Sequence, residues 1–172
     1  MSIENTPAGS VATEMKVLDV PSGQGRAIWH MGALMVFKAT SAETGNQFWL
    51  AEQTSNRGYA SPIHLHTRED ELFYVLDGEL SIEIDGVMHH PKTGGTVFSP
   101  RGLPHSYKVE SDTARWLVLG TPGGFDGWFF DTGKPAERLE VPAFDPADFP
   151  DFGDVIASVE AYGGKVLGPP RA

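Results

Sequence analysis

The sequence predicts an all-β fold with one late amphipathic helix, and three features carry that expectation. Its 20 Gly and 13 Pro are spread between short apolar runs, the texture of many strands joined by turns. Leu80, Ile82 and Ile84 alternate with Ser81, Glu83 and Asp85, a period of two that buries one face and wets the other. Near the end, Phe152, Val155, Ile156, Val159 and Tyr162 recur at helical spacing instead.

Taken in order, residues 1–15 are polar and rich in Ala, Gly and Ser, and are expected to fray. Strand runs follow at 27–40 and 47–55, with Glu43-Thr-Gly-Asn46 as the turn between them. The runs 71–76 and 80–85 flank Asp77-Gly78, which reads as a two-strand hairpin, and a second Asp-Gly at 85–86 turns the chain again. Three more strands are expected within 95–100, 106–110 and 114–122. The chain from 123 to 148 is aromatic, irregular and Pro-rich, and reads as a strap over the body of the fold. A helix is expected over 149–163, with Pro150 in its first turn and Gly163-Gly164 closing it, and 164–172 as a tail. One domain over 16–172 is the natural partition for a chain of 172 residues, with its strands in 16–122.

Composition narrows the function. Hydrophobic residues make up 40% and charged residues 21%, as in an ordinary globular protein. A net charge of −10 without any Lys/Arg cluster argues against nucleic acid or anionic membrane as a partner. The absence of Cys excludes disulfides, thiolate metal sites and thiol nucleophiles. The first residues lack the basic flank and apolar run of a secretory signal, and no run reaches the ~20 apolar residues of a membrane span. The default expectation is a cytoplasmic protein.

One constellation carries chemistry. His64 and His66 are two apart, so on a strand both imidazoles point to one side. Glu71 shares parity with Phe73 and Val75, so a core on that side would hold a carboxylate needing a compensating partner. His105 follows a loop stiffened by Pro100 and Pro104. Three imidazoles and one carboxylate suit a divalent transition metal such as Fe, Ni, Mn, Co, Cu or Zn. A single buried His is more often a hydrogen-bonded core residue, and His-x-His alone is a weak signal. The larger spacing is what adds weight.

That spacing runs Gly58, five residues, His64-x-His66, four residues, Glu71, six residues, Gly78; after fifteen more come Gly94, five residues, Pro100-x-Gly102, two residues and His105. It resembles both signature motifs of the cupin superfamily, whose fold is a small jelly-roll β-barrel. The second motif departs at its last position, where many members carry Asn and this chain has Val109. A looser similarity over about 24–170 points to single-domain bacterial cupins related to quercetin 2,3-dioxygenase. The resemblance implies one metal held by His64, His66, Glu71 and His105, with one or two open positions. It also implies a flavonol-like or other enol/phenol substrate that gives its proton to Glu71 and is cleaved with O2, and a homodimer. The alternatives are a metal-dependent isomerase, lyase or hydrolase acting on a sugar-like or keto-acid substrate, and a non-enzymatic binding cupin. Few basic residues lie near the motifs, which favours the oxygenase.

An apolar substrate pocket is expected from Phe73 and Val75 by parity with Glu71, from Tyr107 by parity with His105, and from Phe48 and Leu50 on their own strand. Phe125, Trp128, Phe129 and Phe130 read either as a lid or as ordinary packing of the strap. His89 and His90 read as a solvated turn pair, and His30 has no partner at ligand spacing. Glu69 and Asp70 read as a solvent-facing loop, with a contact behind the ligands as the alternative. Arg101 is expected to fix its loop through backbone carbonyls, or to meet an anion at the rim.

Overall fold

The computed structural model describes residues 16–143 and 151–170. Its elements in chain order are β1 (Arg26–His30), β2 (Ala33–Ala39), β3 (Trp49–Asn56), β4 (Ile63–His66), β5 (Asp70–Asp77), β6 (Leu80–Ile84) and β7 (Val87–His89). They continue with β8 (Thr96–Ser99), β9 (His105–Val109), β10 (Thr113–Thr121), α1 (Asp126–Thr132), β11 (Lys134–Pro135), α2 (Phe152–Ala161) and β12 (Gly164–Gly168). Two antiparallel sheets result, ordered β11-β1-β2-β3-β10-β5-β8 and β12-β4-β9-β6-β7. This is the jelly-roll architecture of a cupin, with a C-terminal helix, as the sequence predicts. No helix among the described residues is long and apolar enough to cross a membrane.

Alternation builds the core between the sheets. On β3 the buried positions are Trp49, Ala51, Gln53 and Ser55; on β5 they are Glu71, Phe73 and Val75; on β10 they are Ala114, Trp116, Val118 and Gly120. From the other sheet, Leu80, Ile82 and Val109 are fully buried against them. The inward face of β5 therefore carries a carboxylate in line with a Phe and a Val.

Several local readings change. The run 27–40 is two strands, because Met31 (φ 47°) and Gly32 (φ 85°) make a two-residue turn that pairs His30 with Ala33. Asp85 and Gly86, also at positive φ, close a β6–β7 hairpin in the same way. Asp77-Gly78 does not close a hairpin, because β5 and β6 lie in different sheets and the turn carries the chain across the sandwich. At Gly78 (φ 84°) a Cβ would come 2.5 Å from Ser111 Oγ and 2.6 Å from the Thr113 carbonyl oxygen, so the crossing is tight as well as left-handed.

The segment after residue 122 is more ordered than its composition suggests. Residues 126–132 form α1, and Lys134–Pro135 pairs with β1. Helix α2 begins at Phe152, with the Asp151 side chain accepting from the Gly153 N–H at 2.8 Å. Pro150, expected in its first turn, lies outside the described residues, as do residues 1–15 and the stretch 144–149. Residues 164–168, read as tail, form β12 and pair with β4, setting Gly164 opposite His66 and Val166 opposite His64.

Candidate metal centre

His64 and His66 project from β4, Glu71 from β5 and His105 from the first position of β9. Pairing of β4 with β9 sets His64 opposite His105, and β10 carries Gly120 opposite Glu71. One ligand atom from each of the four residues lies within 4.8 Å of all the others. The ring centroids of His64 and His105 are 4.3 Å apart, those of His64 and His66 5.2 Å, and those of His66 and His105 5.5 Å.

Hydrogen bonds fix which nitrogens face inward. His64 Nδ1 donates to the Pro62 carbonyl at 2.8 Å and His105 Nδ1 to the Leu103 carbonyl at 3.1 Å, leaving each Nε2 with a lone pair. His105 Nε2 meets Glu71 Oε2 at 3.0 Å, and His66 Nε2 stands 3.5 Å from Glu71 Oε1. Both ring nitrogens of the buried His66 lack a hydrogen-bond partner. Acceptors thus converge on acceptors in a buried space, an arrangement that needs a shared cation or proton.

The charges agree. Burial, then the neighbouring His105 and His66, push the His64 imidazole down to about 3 against the opposing pull of Glu71. Burial also lowers His66. For His105 burial opposes the charged form, but the hydrogen bond and charge of Glu71 outweigh it and the ring is raised. Glu71 is itself disfavoured by burial, yet the three histidines hold it down to about 2. A buried carboxylate, two imidazoles held neutral by burial and a third whose proton a cation would displace make the donor set a divalent transition metal requires, so the residues fit such an ion.

A cavity of about 680 Å³ opens onto this group, bordered by His64, His66 and Glu71. Phe73, Tyr107, Phe125 and Trp128 line it, whereas Phe48, Leu50 and Val75 do not. On β3 the inward parity belongs to Trp49, Ala51 and Gln53, so Leu50 faces the other way; Val75 is fully buried in the core further along β5. Phe125 meets His66 edge-on at 4.3 Å between ring centroids. The strap aromatics match neither expectation fully. Phe125 and Trp128 are buried yet border the cavity, and Phe129 borders it with them, while Phe130 packs on Phe37 beneath the Arg26 guanidinium. Buried Asp126, accepting from the Ser41 N–H at 2.8 Å and from the Ser41 hydroxyl, anchors the start of α1. Trp128 Nε1 donates to Ser158 Oγ at 3.0 Å and ties α1 to α2.

Sequence reasoning missed four residues here. Glu69 is buried, accepting from Trp49 Nε1 at 2.8 Å, and burial pushes its carboxyl up to about 8. Gln53 and Tyr59 line the cavity, and the β3 alternation from Trp49 was the available signal for Gln53. His30 also borders the cavity, with Nε2 3.0 Å from Thr132 Oγ1; burial pushes it down to about 4. Arg101 donates Nε and Nη2 to Asp70 at 3.0 and 2.8 Å and sits 3.4 Å from the Thr121 carbonyl, so it fixes its loop. His89 and His90 are exposed, His90 sharing a 3.1 Å contact with Ser81 Oγ.

Residues 52–120, which include all four candidate ligands, match the family model described as a cupin domain. A curated quercetin 2,3-dioxygenase of Bacillus subtilis (strain 168) is 28% identical over 123 residues, covering 72% of this chain and 36% of that protein. The match thus spans little more than a third of that relative. Among solved structures, an RmlC-like cupin from Shewanella frigidimarina is similar with a TM-score of 0.56 at 17% identity, covering 66% of this chain and 98% of that one. A protein described as a predicted oxalate decarboxylase from Thermotoga maritima also gives 0.56, at 19% identity, covering 60% and 98%. At these identities the solved structures speak to fold.

Proposed function

The chain belongs to the cupin superfamily, and from that premise we propose that it is a metal-dependent, dioxygenase-like oxidoreductase that opens a flavonol-like or other enol or phenol substrate with O2. The observation that carries the reading is the largely apolar cavity ending on the His64, His66, Glu71 and His105 group. A divalent transition metal held by these four side chains would supply Lewis acidity for a substrate hydroxyl and a route for the electrons that O2 accepts. The relative from Bacillus subtilis, a quercetin 2,3-dioxygenase, supports this choice of substrate class.

The chain's own residues have separable tasks. Glu71 Oε2 accepts the hydroxyl proton of the bound substrate, the carboxylate being ionised without prior deprotonation. Phe73, Phe125 and Trp128 give a flat ring an apolar bed and keep water from it. An acidic or phosphorylated sugar finds little to bind: among the described lining residues the one Lys or Arg is Arg57, which is already paired with Asp112 at 2.9 Å.

Oxygen uptake with a flavonol panel tests the proposal, using protein loaded in turn with Fe, Ni, Mn, Co and Cu. At least one form is expected to consume one O2 per substrate cleaved. No uptake by any form would remove the oxygenase reading.

A further inference from the structure

The cavity holds a second polar group that the metal ligands do not use. Gln53 comes from β3, Tyr107 from β9 and Tyr59 from the loop after β3, so the group spans both sheets. Gln53 Nε2 donates to Tyr107 Oη at 3.1 Å and to Tyr59 Oη at 3.3 Å. All three residues line the cavity, and the Gln53 side chain is buried.

Counting donors shows what the cluster lacks. Two N–H and two O–H protons are available, and the two bonds above use the N–H pair. The two tyrosine O–H groups and the Gln53 carbonyl oxygen remain. Of these, the Tyr107 O–H reaches Gln53 Oε1 only at 3.5 Å, at the weak end of hydrogen bonding. An incoming hydroxyl could satisfy a donor and the acceptor together, accepting from a tyrosine and donating to Gln53 Oε1; a carbonyl could satisfy only a donor. Tyr107 lies two residues beyond His105 on the same face of β9, which is about 7 Å along the strand.

We infer that Gln53, Tyr59 and Tyr107 form a distal subsite that binds a hydroxyl on the end of the substrate remote from the metal ligands, so that the preferred substrate is an aromatic hydroxylated at both ends. This rests on the reading of the cavity as the substrate pocket of a metal centre. It adds a specificity determinant that the ligand set cannot supply, since a buried polar pair discriminates between ligands that do and do not complete it.

Anaerobic titration of zinc-loaded protein tests the subsite apart from the oxygen chemistry, because zinc is redox-inert. The probes are 3-hydroxyflavone and 3,4′-dihydroxyflavone. Wild-type protein is expected to bind the dihydroxylated compound about 10-fold more tightly, the worth of one or two net hydrogen bonds. Tyr59→Phe and Gln53→Leu are each expected to cut that preference below about twofold while still binding 3-hydroxyflavone, which also shows that they fold. Equal binding by the wild type, an undiminished preference in both variants, or no binding of either compound would overturn the inference. If the preference follows prediction but no metal form consumes O2, the subsite stands and the oxygenase reading alone fails.

Discussion

Glu71→Gln is expected to leave the barrel folded and to lower turnover by about 10²- to 10⁴-fold, the usual worth of a positioned general base. The two side chains have nearly the same shape, and Glu71 is buried, 5% exposed. What changes is chemistry. A carboxylate can take the substrate's proton at Oε2, 3.0 Å from His105 Nε2, whereas an amide cannot. The amide NH2 would also turn a donor, or lose an acceptor, toward imidazole lone pairs that now face an anion. Turnover per bound metal is the quantity to measure, since it separates proton transfer from weakened metal binding. A variant within threefold of wild type on that scale would show that the proton goes elsewhere.

Gly120→Ala should be among the most damaging single-methyl changes in the barrel. Gly120 sits on β10 between Trp49 of β3 and Glu71 of β5. A Cβ there would lie 2.2 Å from Trp49 Nε1, 2.4 Å from Trp49 Cε2 and 2.7 Å from Glu69 Oε2. Trp49 is fully buried and ringed by Phe37 and Phe129, so it has little room to retreat. Displacing it would also break its hydrogen bond to buried Glu69. Overpacking of this kind costs about 1–3 kcal/mol, which for a chain of this size lowers Tm by roughly 2–12 °C. Calorimetric melting reads the effect; a Tm within 1 °C of wild type would mean that the packing gives way more easily than its contacts imply.

The ligands were legible because their geometry is local. Two histidines at i and i+2 share a strand face whatever else the fold does, and the parity of Glu71 with Phe73 and Val75 fixed its direction once one of them was buried. Joining His105 to them needed the longer motif, because the β4–β9 pairing spans some forty residues of intervening chain. Glu69 was misread because its burial comes from Trp49, on another strand, rather than from its own neighbours. Asp77-Gly78 carries the hairpin signal, but a left-handed turn serves equally to send a strand to the opposite sheet, and only long-range pairing decides between the two. Phe48 and Leu50 show the complementary limit: alternation says which residues share a face, and the buried Trp49 was needed to say which face is inside.

Everything proposed for the site depends on a metal held by His64, His66, Glu71 and His105, and elemental analysis of the purified, reconstituted protein tests this directly. One equivalent of a divalent transition metal per chain is expected for the wild type. His66→Ala, which removes the imidazole whose two nitrogens have no other partner, should retain less than about a tenth of that after dialysis, given that even residues supporting metal ligands are worth 10- to 100-fold in affinity. A wild-type protein that takes up no metal, or a His66→Ala variant that keeps a full equivalent, would contradict the account.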